Sequence, residues 1–172
     1  KYVDYLRNWN LRNDVNEKGA SVFKAIWDSL EVAVWADEFK NANLPLQWPD
    51  ESTLLEQMLK DSVVLFEDNI ATPNIKETMA DAVTEAIKKA TPQLAQMEKD
   101  GTLAWGAYKD TRVNHLLKIP SLSRLHLPIG GGVHIINATS ANHGPSWRMI
   151  VHLVDGIEAY GVYPGGQNGN PG

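Results

Sequence analysis

Apolar residues recur at helical spacing over the first hundred positions of the chain. Between Ser21 and Phe39, apolar residues such as Phe23, Ile26 and Leu30 lie three or four positions apart, which is the spacing of one face of an α-helix. Additional apolar residues beside that stripe predict a helix that is buried over most of its surface.

A second helix is predicted after the prolines at positions 45 and 49. Thr53 and Glu56 have the spacing of a capping box, although Asp50 could be the N-cap instead. A third stripe consists of Ile75, Met79, Val83 and Ile87. Thr91-Pro92 has the pattern of an N-cap followed by proline at the first helical position. This pattern predicts a further helix that ends at Asp100-Gly101.

After residue 130 the period of the apolar residues changes from helical spacing to two. Trp147, Met149 and Val151 alternate with their neighbours as in a β-strand. Asp155-Gly156 has the composition of a two-residue hairpin turn, which predicts a return strand over residues 157–163. Residues 133–138 are predicted to form another strand, so that the segment contains three strands.

The composition changes in the same region of the chain. Residues 1–120 carry nearly all of the charge, whereas residues 121–172 hold two acids and two bases, and ten of the 13 glycines lie at or beyond Gly130. The chain is therefore expected to be α+β, with a mainly helical segment at 1–120 and a β segment at 121–172. The β segment is expected to contain a hairpin at 146–163 and a glycine-rich terminal loop.

Charge and cysteine content exclude several classes of function. The chain has 16 basic and 21 acidic residues, a net charge of −5, and no basic cluster. Nucleic-acid binding and membrane-surface binding are therefore not expected, since both need positive surface. The chain contains no cysteine, which excludes disulfides, thiolate metal sites and a cysteine nucleophile.

Five histidines raise the question of a metal site. They are His115, His126, His134, His143 and His152. Their spacings of 8 to 11 residues differ from the short ligand spacings of zinc sites, and carboxylates are nearly missing nearby. Solvated or hydrogen-bonded histidines are the preferred interpretation, and no metal or cofactor is expected.

Other candidate chemistry has simpler structural explanations. The glycines at 130–132 precede a predicted strand rather than a helix, so they indicate a turn or a close backbone approach instead of a phosphate site. Four serines are candidate nucleophiles but lack a GxSxG motif; they are Ser121, Ser123, Ser140 and Ser146. The paired carboxylates Asp37-Glu38, Asp50-Glu51 and Glu67-Asp68 are typical of solvated helix faces. The six tryptophans are predicted to be core anchors.

The C-terminal region carries a more specific signal. The segment HGPSWRMIV at 143–151, the following hairpin and PGGQNGNPG at 164–172 resemble the penicillin amidase (penicillin acylase) family. Asn168 stands where the family commonly has serine. Upstream, the L-x-x-W pattern at 6–9 and the G-G…N-A pattern ending at Asn137-Ala138 are similar to family segments. The resemblance implies a late segment of the large β subunit.

The resemblance implies an N-terminal-nucleophile hydrolase with an αββα core that cleaves amides such as penicillins and acyl-homoserine lactones. In that family, a serine at the start of the β subunit attacks the amide with its own α-amine as the base. The first residue of this chain is Lys1 instead of that serine. The family's catalytic and calcium-binding groups lie upstream of the L-x-x-W segment. No catalytic, cofactor-binding or metal residue is therefore assigned. Asn137, Gln167 and Asn168 are expected to hydrogen-bond in turns and loops.

We expect this chain to be a piece of a periplasmic or secreted acylase that has a structural role and is inactive by itself. Its start at Lys1 and its end in a glycine-rich loop support that expectation. In addition, three strands alone make a thin sheet, so they are expected to extend a larger one. Its partners would be the remainder of the acylase and, for the whole enzyme, a small N-acyl substrate. Exposed strand edges could also pair with a second copy. The alternative is a non-catalytic periplasmic ligand-binding module with a cleft among the tryptophans.

Overall fold

The computed structural model describes residues 1–41, 46–60, 66, 68–144 and 147–162. The contacts of the chain divide it into two compact units. Unit 1 consists of Lys1, Val3–Ser21 and Asp100–Gly172, and unit 2 consists of Tyr2 and Val22–Lys99. The composition-based division near residue 120 concerns segments of sequence, and it stays a prediction.

Five helices and four strands are formed by the described residues. The helices are α1 (Tyr2–Arg7), α2 (Lys18–Asn41), α3 (Glu51–Leu59), α4 (Met79–Lys99) and α5 (Trp105–Lys109), and a 3₁₀ turn covers Pro120–Leu122. The strands are β1 (Thr111–Val113), β2 (Arg124–Leu127), β3 (Arg148–His152) and β4 (Glu158–Val162). The α+β class expected from the sequence is confirmed. None of the described helices has the length and apolarity needed to cross a membrane.

Helix α2 is the long buried helix that the periodicity predicts. Within unit 2, its fully buried residues include Val22, Val34 and Trp35. The ring of Trp35 contacts Phe39 and Phe66 edge-on, with centroid distances of 6.2 and 5.2 Å. Such edge-to-face aromatic contacts stabilise a core beyond their buried area, so this aromatic group fixes the C-terminal half of α2.

Helix α3 begins at Asp50, one of the two N-caps that the sequence allows. The Asp50 carboxylate accepts hydrogen bonds from the backbone N–H groups of Ser52 and Thr53 at 2.9 and 3.3 Å. Because these N–H groups lack partners within the helix, the carboxylate satisfies them. Asp50 is the cap, and the capping box starting at Thr53 is not formed.

Helix α4 differs from the prediction at both of the positions that the pattern emphasised. Ile75 lies outside the helix and is 62% exposed, and Thr91-Pro92 lies in the helix interior rather than at its start. The actual N-terminal cap is Thr78, which exchanges hydrogen bonds with Asp81. The buried face is mostly alanine: Ala82, Ala86, Ala90 and Leu94. A search for large apolar residues misses such a face.

The predicted strand over residues 133–138 is wrong, and the described strands form two separate pairs instead of the expected three-stranded sheet. Residues 133–137 form turns and bends, and a single bridge joins Gly132 to Ala138. Ile135 and Ile136 are exposed. The β-branched residues of this loop favour extended backbone, but the loop closes on itself through the Gly132–Ala138 bridge. Residues 133–137 therefore do not pair with a neighbouring strand in the described part of the chain.

The strands form two separate antiparallel pairs, β1·β2 and β3·β4. The β3·β4 hairpin pairs Arg148 with Val162 and His152 with Glu158. Five residues connect these strands instead of the expected two-residue turn, and Gly156 within them has φ +80°. The β1·β2 register shifts between Thr111 and Val113, which creates an irregularity on the facing strand near His126.

One of the paired carboxylates expected to be solvated is partly buried. Burial raises the pKa of Glu38 to about 7, and the hydrogen bond with the neighbouring Asp37 carboxyl adds to that rise. The Asp37 carboxylate also accepts the backbone N–H of Ile70 at 2.9 Å. Glu38 is therefore a protonated or half-protonated group near neutral pH.

We predict that Glu38→Gln stabilises the chain at pH 8 and has little effect near pH 4. The folded state holds the Glu38 proton up to about pH 7, whereas the unfolded carboxyl loses it near its usual pKa of about 4.3. Stability therefore falls as pH rises through this window, and a neutral glutamine removes the loss. Thermal unfolding from pH 4 to 8 measures the effect, with exposed Glu85→Gln as the control. Equal pH profiles for Glu38→Gln and wild type would contradict the prediction.

Candidate functional site

The glycines at 130–132 lie against other backbone segments of unit 1. A Cβ added to Gly130 would lie 2.7 Å from the carbonyl oxygen of Asn13, and one added to Gly131 would lie 2.2 Å from that of Asn137. Gly131 also has φ +88°, and its N–H donates to the Asn13 carbonyl at 2.8 Å. The close backbone approach expected from the sequence is confirmed.

Helix α5 places a lysine amine directly beneath these glycines. The N–H groups of Trp105 and Gly106 donate to the carbonyls of Glu17 and Val15 at 2.9 and 2.8 Å, which holds the start of the helix against the preceding segment. One turn later, Lys109 is only 8% exposed. The sequence shows no sign that this lysine is buried.

The Lys109 ammonium is surrounded by oxygen acceptors. It donates to the carbonyl oxygens of Gly130 and Gly131 at 2.7 and 3.3 Å and to the Thr139 hydroxyl at 2.6 Å. Trp105 donates its indole N–H to the same Gly131 carbonyl at 2.6 Å, and its ring lies 5.9 Å from the ammonium. All three donors of the ammonium are thus used.

Two effects act on the charge of Lys109 in opposite directions. Burial lowers the pKa of Lys109 to about 8, since desolvation disfavours an ammonium. The three oxygen acceptors bind the ammonium better than the neutral amine and therefore oppose that change. The group keeps its charge near neutral pH and organises the oxygens around it.

The loop above Lys109 closes on itself and then contacts β3. The N–H of Gly132 donates to the carbonyl of Asn137 at 3.1 Å, and the N–H of Thr139 donates to that of Gly132 at 3.0 Å. The side-chain carbonyl of Asn137 accepts a hydrogen bond from the Arg148 guanidinium. The structure thereby joins the G-G…N-A segment to the W-R-M segment through two residues that are 11 positions apart in sequence.

This loop forms one wall of an open groove of about 880 Å³ in unit 1. The opposite wall is residues 11–14, where Arg12 and Asp14 form an ion pair at 3.1 Å. The loop side presents apolar side chains, including Val133 and Ile136, together with the Asn137 amide. The groove is thus apolar with polar groups at its rim. A smaller groove of about 320 Å³ lies in unit 2 and is lined mainly by charged and polar residues of 69–89.

A carboxylate–histidine pair lies across the β1·β2 sheet. Asp110 accepts the Arg112 guanidinium at 2.9 Å and contacts Nδ1 of His126 at 2.7 Å. The Arg112 hydrogen bond is the main reason that the pKa of Asp110 is lowered, and His126 contributes less. Asp110 and His126 have φ +47° and +56°, an unusual conformation for residues with a Cβ. The contact between Asp110 and His126 links the residue just before β1 to the irregular part of β2.

The remaining candidate residues serve mostly the backbone. His115 Nδ1 accepts the N–H of Leu117, and the Ser123 hydroxyl donates to the carbonyl of Ile119. Ser140 accepts the N–H of Asn142, and His152 lies 3.8 Å from Glu158. Ser146, Gln167 and Asn168 lie outside the described residues. In the described part of the chain, no group of three His, Asp or Glu side chains could hold a metal ion.

The tryptophans do not behave uniformly as core anchors. Trp35 and Trp105 are buried, as expected, but Trp147 is 56% exposed. Trp9 is half-buried and donates its indole N–H to the carbonyl of Arg12 at 2.8 Å. Its ring also fills the space beside Gly19, where an added Cβ would lie 2.4 Å from it.

The L-x-x-W, G-G…N-A and W-R-M segments therefore all have defined contacts within unit 1. A family profile described as penicillin amidase matches residues 1–172, the whole chain. The chain belongs to the penicillin amidase family. Comparisons with curated proteins and with solved structures found no match. Penicillin amidases are acylase-type hydrolases, so this chain is related to an enzyme. In the described site, the Lys109 ammonium binds and positions backbone carbonyls of the glycine segment.

We predict that Gly131→Ala strongly destabilises the chain and that Gly101→Ala is a mild, matched control. Both glycines have positive φ, at +88° and +73°, but nothing lies within 4 Å of a Cβ at Gly101. Gly101→Ala should cost about 1 kcal/mol for the backbone conformation. Gly131→Ala adds a collision with backbone and should cost about 3 kcal/mol or more. Denaturant unfolding measures both. Equal losses would show that the close approach has no energetic role.

Proposed function

We propose that this chain is a structural part of a penicillin-amidase-type hydrolase that acts on small N-acyl amides, and that it does not hydrolyse them by itself. The β3·β4 hairpin carries the proposal, because large apolar side chains are exposed on both of its faces. Ile150 and Tyr160 pair on one face and are 55% and 58% exposed. Met149 and Val151 lie on the other face and are 54% and 40% exposed.

A two-stranded hairpin with this pattern lacks the partners that its side chains require. Apolar side chains that lie together and exposed on a surface commonly mark a site of contact with another part of a protein. In an αββα core, one face of each sheet packs on the other sheet and the opposite face packs on helices. The hairpin has the side chains expected of such a layer, which supports the remainder of an acylase as its partner.

The proposal includes an N-terminal-nucleophile mechanism and a periplasmic or secreted location for the whole enzyme, both from the family resemblance. Within the described residues, Lys109, Asp110 and His126 are engaged with backbone or with one another. The nucleophile is therefore assigned to another part of the enzyme. The role of this chain is to support the sheet that holds it.

The non-catalytic ligand-binding module gains no support from the two grooves described above, since no tryptophan lines either of them. Titrating the chain with acyl ligands while recording tryptophan fluorescence separates the two functions. Little or no change is expected for the structural role. Saturable, tight binding by the chain would favour the binding module instead.

The activity prediction compares the chain with the protein that contains it. The purified chain should show no turnover of phenylacetyl or acyl-homoserine-lactone amides, because the proposal places the nucleophile in another part of the enzyme. The whole protein should hydrolyse at least one of them. Turnover by the chain would overturn the structural role, and a whole protein inactive on all such amides would overturn the hydrolase assignment.

We also predict that Ile150→Asp impairs the whole enzyme far more than it impairs the chain. Ile150 is exposed in the chain, so its substitution there should change stability by about 0.5 kcal/mol or less. A carboxylate facing an apolar layer in the whole enzyme should prevent assembly. Soluble yield and thermal unfolding of both proteins provide the measurement, with Ile150→Val as the control. A whole enzyme unaffected by Ile150→Asp would contradict burial of this face.

In the absence of that partner, the edges of β3 and β4 can pair with a second copy of the chain, as unpaired edges commonly do. Sedimentation of the chain at increasing concentration tests this. Self-association is expected, and a clean monomer at high concentration would contradict it.

A further inference from the structure

A continuous series of hydrogen bonds leads from a buried charge to the β3·β4 hairpin. Lys109 binds Gly130 and Thr139 at 2.7 and 2.6 Å, and these two residues begin and end the loop at 130–139. Asn137, within the loop, accepts the guanidinium of Arg148. Arg148 is the first residue of β3.

The ammonium is the cation that lets these oxygens come together. Two carbonyls and one hydroxyl point at a single position, and the Thr139 hydroxyl also donates to the Gly130 carbonyl at 2.9 Å. Carbonyl oxygens carry partial negative charge, so they converge only when a donor or cation lies between them. Lys109 supplies that cation from within the chain. Thr139 is only 2% exposed, so water has little access to the position that the ammonium occupies.

The last hydrogen bond of this series, between Arg148 and Asn137, reaches the hairpin. Within the described part of the chain, the Arg148–Asn137 contact is the side-chain hydrogen bond that joins the hairpin to the remainder of unit 1. The backbone carbonyl of Asn137 accepts a hydrogen bond from the N–H of Gly132. A change in the loop therefore reaches the hairpin through Asn137.

We infer that Lys109 is a positioning residue whose buried ammonium fixes the 130–139 loop and, through Asn137 and Arg148, sets where the β3·β4 hairpin stands. Lys109 acts through the loop and not on a reacting group. In the proposed hydrolase it would thus help to place the core sheet. The tests below measure the hairpin itself, so they fail independently of the proposed hydrolase activity.

Hydrogen exchange measured by mass spectrometry on the whole protein tests this inference with Lys109→Ala. Loss of charge-assisted hydrogen bonds should speed exchange about tenfold or more in peptides from the loop and from the hairpin. Peptides from α4 should not change. Lys89→Ala, which removes an exposed lysine from α4, is the matched control. Faster exchange in the loop with no change in the hairpin would overturn the inference.

Chemical rescue separates the role of the cation from the loss of packing. Propylammonium replaces the deleted methylenes and the ammonium of Lys109→Ala, so it should restore slow exchange in both peptides. Tetramethylammonium at the same ionic strength has no N–H donor and should not restore it. Equal rescue by the two ions, or by neither, would overturn the role of a donating cation at this position.

A second variant keeps the test decisive if Lys109→Ala does not fold. Arg148→Met removes only the last link, so exchange should become faster in the hairpin and stay unchanged in the loop. Arg124→Met, on the exposed strand β2, is its control. Unchanged exchange in the hairpin of Arg148→Met would show that this link does not position it.

Discussion

One buried ammonium holds together the two ends of the loop at residues 130–139. Lys109 satisfies two glycine carbonyls and a threonine hydroxyl at once, and it does so where water has little access. A buried charge costs free energy unless its hydrogen bonds are complete, so each of its partners must stay in place. The positive φ of Gly131, the closure of the loop and the Arg148 contact are all consistent with that requirement.

The same loop brings together the three short segments that resemble the family's. The glycines allow the backbone to approach residues 11–14, the tryptophan of the L-x-x-W segment donates to the carbonyl of Arg12, and Asn137 contacts the arginine of the W-R-M segment. These residues have a common physical task, which is to hold a loop and a hairpin in place. Such a scaffold fits the proposed structural role, because a supporting shell determines how precisely a site is held.

Local chemistry made several features predictable, and its limits are equally clear. The helical period predicted α2, the period of two predicted β3, and the Asp155-Gly156 turn signal predicted β4. The glycine run indicated a close approach. The prediction of a strand at 133–138 was wrong, because β-branched residues form a strand only where a neighbouring strand can pair with them. The helix start at Thr91-Pro92 failed because Thr78 already caps α4, and the helix continues through the proline. The candidate site was missed because no pattern distinguishes a buried lysine from a solvated one.

By itself, the sequence determined the α+β class, the long buried helix and the family, because these depend on periodicity and on short motifs of special residues. Tertiary structure decided the rest. The lowered pKa of Lys109 and the raised pKa of Glu38 depend on which groups exclude water from them. The contact of Asn137 with Arg148 depends on how the loop closes and where β3 begins. Burial and contact between residues distant in sequence are properties of the packed chain, and local residue patterns carry no direct record of them.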